Sequence, residues 1–157
     1  IGRVQDMKSM AFGDTHDYFH KTIGFNYRIT NSQSTLALES LREADQNIRR
    51  REEIKNIYNS IIPSHFQMPN NREVIWVYDI MHPNADAVVK YLKKEGIPAR
   101  HSFKPMSEQP LFYTSSVGVN AKKYSQRVFY VHLKLSQANS EIINIAQKVK
   151  QALETIQ

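Results

Sequence analysis

Residues 31–62 run without Gly or Pro, and Pro63 closes the run. Within it Leu41, Ala44 and Ile48, then Ile54, Tyr58 and Ile61, recur at steps of three and four. That period marks one apolar helix face. Thr30-x-x-Gln33 reads as a capping box, satisfying two orphan N–H groups at the helix start. The pattern predicts one helix of about 48 Å at 1.5 Å per residue. That is longer than a small domain needs, so it is expected to tie two bodies together.

Beyond Pro63 the pattern changes. Residues 63–72 carry two prolines and Asn70-Asn71, which is turn chemistry. Residues 73–81 hold Val74, Ile75, Trp76, Val77, Tyr78 and Ile80, a strand composition. Asn84 is placed to cap a helix over 85–95 whose apolar face is Ala85, Val88, Val89 and Leu92, with Gly96 as its stop. A second strand is expected over 97–104, with Pro98 near its start, where proline is tolerated. Residues 105–124 read as a long loop, the kind that is usually functional or flexible. A third strand over 126–135 alternates Val128, Tyr130, His132 and Lys134 with Phe129, Val131, Leu133 and Leu135. The second set is expected to face the core. Asn139 is expected to cap a last helix that turns Ile142, Ile145, Ala146, Val149, Leu153 and Ile156 inward. Few strands with helices on one side predict a two-layer α+β fold with a small, mainly antiparallel sheet.

With 157 residues there is enough chain for one domain with a core. No apolar run reaches the length of a membrane span and no signal-peptide pattern opens the chain. The absence of cysteine removes disulfide and thiolate chemistry and suits a reducing, cytoplasmic setting. The net charge of +6 favours anionic ligands. Its longest basic run, Arg49-Arg50-Arg51, lies on the predicted helix, where successive residues point about 100° apart. The three side chains cannot form one phosphate-binding stripe, and Glu43, Asp45, Glu52 and Glu53 surround them. A solvated, charge-mixed face is expected there, not a nucleic-acid site. His16 and His20 stand at a spacing that chelates metals on a helix, but no carboxylate or cysteine completes a site. No metal is expected.

The stretch Gly24-Phe25-Asn26-Tyr27-Arg28-Ile29-Thr30-Asn31, with Asp17-Tyr18-Phe19-His20 before it, resembles the signature of DegT-type sugar aminotransferases. The resemblance continues through Arg49-Arg50-Arg51-Glu52-Glu53-Ile54 and Tyr58. It resumes at Gly96-Ile97-Pro98-Ala99-Arg100 and at Lys104-Pro105-Met106-Ser107-Glu108-Gln109-Pro110. The last run looks most like the perosamine-synthase branch, which aminates a GDP-linked keto-deoxysugar. Ser34-Thr35 departs from the two alanines usual in the family.

The resemblance implies the carboxy-terminal part of a fold-type I, pyridoxal-phosphate enzyme. Residues 1–30 would be a remnant of the large cofactor domain, 31–62 a connecting helix and 63–157 the small domain. A chain opening on Ile1 suits a fragment. In the family, the Schiff-base lysine and the carboxylate facing the pyridine nitrogen precede this part. No lysine here sits in the matching context, so no catalytic residue is assigned and the chain alone is expected to be inactive. Asn26 matches an Asn that reaches across a dimer interface to the cofactor phosphate, and Tyr27 and Arg28 are assigned beside it. Lys104, Ser107 and Glu108 fall where family members approach the substrate mouth. The implied partners are a nucleotide-sugar, an amino-acid donor and a second copy of the chain. The implied cofactor is pyridoxal 5′-phosphate, in the complete enzyme and not covalently on this chain alone. The alternative is a non-catalytic interaction or phosphate-binding module built from the same domain.

Overall fold

A computed structural model describes residues 4, 23–69, 74–111 and 118–156. The chain divides into two compact units, 1–44 and 45–157. The boundary falls inside the stretch expected to be one helix, and the helical run is interrupted there. Helix α1 covers Asn31–Arg42 and α2 covers Ala44–Ile61. Between them Glu43 takes φ −90° and ψ −3° while its N–H still bonds to the Glu39 carbonyl at 3.3 Å. Asp45 sits in the first turn of α2, where an acidic residue suits the positive helix end. A Gly or Pro is therefore not needed for the break, and the unbroken-run reading missed it.

In the first unit the capping box forms as expected. Gln33 N–H donates to Thr30 Oγ1 at 3.2 Å, and Thr30 N–H donates to Gln33 Oε1 at 3.0 Å. Helix α1 has no buried residue, and Leu36, Leu38 and Leu41 are exposed.

The second unit holds a three-stranded antiparallel sheet, giving the α+β class expected. Strand β1 (Val77–Met81), β2 (Ala99–His101) and β3 (Val128–His132) lie in the order β1-β3-β2. Helix α3 (Ala85–Lys94) follows β1, α4 (Val119–Arg127) precedes β3, and α5 (Asn139–Thr155) follows it. One sheet face carries Tyr78 and Ile80, paired with Val131 and Phe129, and Ala99 beside them. These join a core with Val88, Val89 and Leu92 of α3, Ala146 and Val149 of α5, and Ile54 and Tyr58 of α2.

Several expectations are corrected here. Helix α4 occupies the end of the presumed 105–124 loop and the first two residues of the presumed third strand. It carries no buried residue, so it left no periodic signal. Because β3 begins only at Val128, β2 loses its partner after His101, with one further bond from Ser102 N–H to the Val128 carbonyl. At its other end β3 stops at His132, opposite Val77, which trims β1 likewise. Strand β3 is also central, so Val128 and Tyr130 are buried along with Phe129, Val131 and Leu133. Strict alternation between core and solvent belongs to a sheet with one bare face, and Tyr130 instead meets Trp76 and His132.

The last helix is capped by Ala138, not Asn139. Ala138 N–H donates to Glu141 Oε2 at 3.3 Å, while the Asn139 side chain is taken by Arg50. Asn84 does occupy the N-cap of α3, but its side chain makes no capping bond. Its N–H donates to Nδ1 of buried His82 at 3.0 Å. The stop after α3 is as expected. Gly96 takes φ +73°, and the Gly96 and Ile97 N–H groups bond to the Lys93 and Leu92 carbonyls at 3.1 and 2.9 Å. That is a Schellman pattern, with Ile97 and Leu92 both in the core.

Candidate functional site

The residues assigned to the cofactor lie just before α1. Asn26, Tyr27 and Arg28 are all exposed. Asn26 Oδ1 accepts a long bond from Arg28 N–H, 3.4 Å, and Tyr27 N–H donates to the Phe25 carbonyl at 3.1 Å. The Phe25 and Tyr27 rings stack with centroids 5.4 Å apart. This local turn uses the carbonyl end of the Asn26 amide, and its two N–H donors have no acceptor among the described residues. The Arg28 guanidinium makes no ion pair among the described residues. The capping box behind the turn fixes where the helix starts, and so where these side chains project. The donors present fit one side of a phosphate group. They do not supply a covalent anchor.

The residues assigned to the substrate lie in the second unit. Lys104 is exposed, Pro105 is buried, and a single 3₁₀ turn follows at Met106–Glu108. The Glu108 and Gln109 N–H groups donate to the Pro105 and Met106 carbonyls, both at 3.0 Å. A buried proline precedes the turn, and the two backbone bonds close it. Glu108 is exposed and Ser107 half-buried. His16 and His20 lie outside the described residues, and no group of three metal-ligating side chains occurs among the described residues. No helix among them is long and apolar enough to cross a membrane.

Within the arginine run, Arg49 is exposed as expected, but Arg50 and Arg51 do more than face solvent. Arg50 is half-buried. Its Nη1 donates to Asn139 Oδ1 at 2.7 Å, its Nη2 to the Gln137 carbonyl at 2.7 Å and its Nε to the Leu135 carbonyl at 3.4 Å. Glu53 balances its charge at 3.0 Å. Arg51 donates to the Trp76 carbonyl at 2.9 Å. Both tie α2 to loops flanking the sheet. The available signal was that guanidinium forks suit several carbonyls at once, whatever the charge pattern around them.

Buried Tyr58 and Tyr78 stack at 4.8 Å. Burial pushes the Tyr58 hydroxyl up to about 12. Burial, and then the nearness of Tyr58, raise Tyr78, whose hydroxyl lies 2.7 Å from Asn59 Oδ1. Both are neutral structural phenols at physiological pH.

The sequence model of the DegT/DnrJ/EryC1/StrS aminotransferase family matches residues 3–150. GDP-perosamine synthase of Caulobacter vibrioides is 30% identical over 121 residues, covering 69% of this chain and 32% of that protein. GDP-perosamine synthase of Escherichia coli O157:H7 is 28% identical over 117 residues, covering 70% of this chain and 32% of that protein. The chain thus spans about a third of the length of these relatives. The aminotransferase TlmJ of Streptoalloteichus hindustanus superposes with a TM-score of 0.86 at 14% identity, over 99% of this chain and 45% of that one.

Proposed function

Since the chain belongs to the DegT/DnrJ/EryC1/StrS aminotransferase family, we propose that it forms the carboxy-terminal part of a pyridoxal-phosphate-dependent enzyme that aminates a nucleotide-linked keto-sugar. The observation that carries this reading is the family match over residues 3–150. The finer reading is a GDP-linked keto-deoxysugar, as in perosamine formation for polysaccharide synthesis, and it draws on the two perosamine-synthase relatives.

When bound, pyridoxal phosphate supplies the electron sink through which an amino group passes from an amino-acid donor to a ketone. This chain's residues have positioning roles. The Asn26 amide N–H groups donate to a phosphate oxygen without adding charge. Arg28 offers a planar fork to a second anionic oxygen. The stacked Phe25 and Tyr27 rings wall that site from water. Just ahead of the 106–108 turn, Lys104 meets the diphosphate of the substrate, while Ser107 and Glu108 on the turn bond to sugar hydroxyls. The Asn26 side of the site is completed in a homodimer, each copy serving its partner.

The test is amino transfer from L-glutamate to GDP-, UDP- and dTDP-linked keto-deoxysugars by the full-length protein, read by mass spectrometry of the product. An aminated GDP-sugar is expected. Product from another nucleotide alone removes the perosamine reading. No transfer to any of them leaves a non-catalytic phosphate-binding or interaction module.

A further inference from the structure

The second unit contains a cavity of ≈ 660 Å³ that none of the roles above uses. It lies at the sheet end where β2 begins and β3 finishes. The 106–108 turn follows the other end of β2, about 10 Å of strand away at 3.3 Å per residue. The cavity is therefore separate from the turn proposed to meet substrate. Its volume falls within the range of about 300–1,000 Å³ typical of small-molecule sites.

Its lining is two-sided in chemistry. Tyr58, Ile97, Val131 and Ile145 belong to the core or pack against it, and they give the cavity an apolar floor. Lys134, Lys148 and Glu95 supply charge. Glu95 Oε2 lies 3.7 Å from Lys148 Nζ and so offsets one cation. Lys134 is exposed and has no ion pair among the described residues. The amides of Gln137 and Asn144 add neutral hydrogen-bonding groups. The apolar floor needs an apolar body to cover it, and the surplus cation at the edge favours a negative group attached to that body.

Three features make this a built site and not a surface dent. The Gly96–Pro98 wall is held by the Schellman bonds that end α3. The Lys134–Gln137 wall is held by Arg50, which takes the Leu135 and Gln137 carbonyls. The opposite wall is the middle of α5, anchored by fully buried Ala146 and Val149. All of these walls belong to one compact unit.

We infer that this cavity binds a small organic anion, with an apolar body against Ile97, Val131 and Ile145 and its carboxylate or phosphate group at Lys134. The site is independent of the aminotransferase reading, since it uses no residue assigned to cofactor or substrate.

The test is calorimetric titration of full-length protein, saturated with pyridoxal phosphate, with 3-phenylpropionate and with phenyl phosphate. Whichever binds more tightly identifies the anionic group. Saturable binding is expected, with Lys134→Glu weakening it by at least about fivefold, the size of a partly exposed ion pair. Asn144→Trp, at an exposed rim position, is expected to abolish it by filling the mouth, while cofactor affinity stays unchanged in both variants. The neutral 3-phenylpropanamide is expected to bind more weakly than either anion. Absence of saturable binding, equal binding of the amide, or indifference to both substitutions would overturn the inference.

Discussion

Arg50 shows how a single side chain can join elements far apart in sequence. Its guanidinium reaches two carbonyls in the loop after β3 and the amide oxygen of Asn139, the first residue of α5. Truncation leaves those acceptors without a charged donor, so Arg50→Ala is expected to cost about 2–4 kcal/mol, as bonds to charged groups are worth about 1.5–3 kcal/mol each and do not add fully. Arg50→Lys recovers little, because one ammonium cannot span the fork. Arg51→Ala, which removes one bond to the Trp76 carbonyl, costs about 1 kcal/mol. Urea unfolding at constant m-value distinguishes the three. Asn26→Ala in the full-length enzyme is expected to weaken cofactor affinity by about 1–3 kcal/mol. Unchanged affinity would reduce Asn26 to a turn residue.

The tyrosine pair makes a prediction in pH. The folded state holds Tyr58 at about 12, above the ordinary tyrosine value of 10.0, so between those values the folded chain keeps a proton that the unfolded chain has released. The stabilisation is present in full below pH 10 and is lost as pH rises through 12. About 3 kcal/mol disappears over that window, at about 1.4 kcal/mol per unit. Tyr58→Phe should flatten the loss in a pH series of unfolding midpoints, and phenolate absorbance should show two late-titrating tyrosines in the wild type.

At the scale of elements, sequence and structure agree where burial and local chemistry point the same way. Helix α3 shows this best: Ala85, Val88, Val89 and Leu92 are all buried, and Gly96 stops the helix with a positive φ. Helix α5 turns Ile142, Ala146, Val149 and Leu153 inward as its spacing requires. The failures have a common cause. Helix α4 buries nothing, so no periodicity betrays it. The ends of β1 and β2 are set by where β3 begins and finishes, which is a fact of pairing and not of propensity. The turn at 24–30 was legible through its capping box and its family signature, whereas the clasp made by Arg50 depends on a loop 85 to 89 residues away. Helix α1 also has no buried residue, so its stability rests on local terms such as the cap. Thr30→Ala is expected to cost it about 1 kcal/mol. Hydrogen exchange should report this as faster exchange at Gln33 and Ser34, with α5 unaffected. Loss of protection spread through α5 as well would mean that α1 unfolds with the second unit.

For the whole molecule, the question is what covers α1. Leu38 and Leu41 stand three apart and share a helix face, and they are 48% and 70% exposed. Leu36, 70% exposed, projects about 200° away from Leu38, at 100° per residue. One flat partner cannot cover both faces. Ahead of the helix, Ile23, Phe25, Tyr27 and Ile29 are exposed as well. Each large side chain returned to an apolar environment contributes about 1.5–3 kcal/mol. An apolar surface of this extent is unusual on a stable monomer. The 157-residue chain on its own is therefore expected to self-associate through α1, most simply as a two-fold pair. Sedimentation equilibrium of the pure chain at micromolar concentration tests this. Leu38→Glu with Leu41→Glu should shift the population toward monomer, because a charge buried in the pair has no partner to offset its desolvation. Leu36→Glu separates the faces: if it leaves association intact, the Leu38–Leu41 face is the contact, and if it alone dissociates the pair, the contact is on the opposite face. A chain that sediments as a compact monomer at every concentration, with residues 1–30 resistant to protease, would show that it covers these side chains itself.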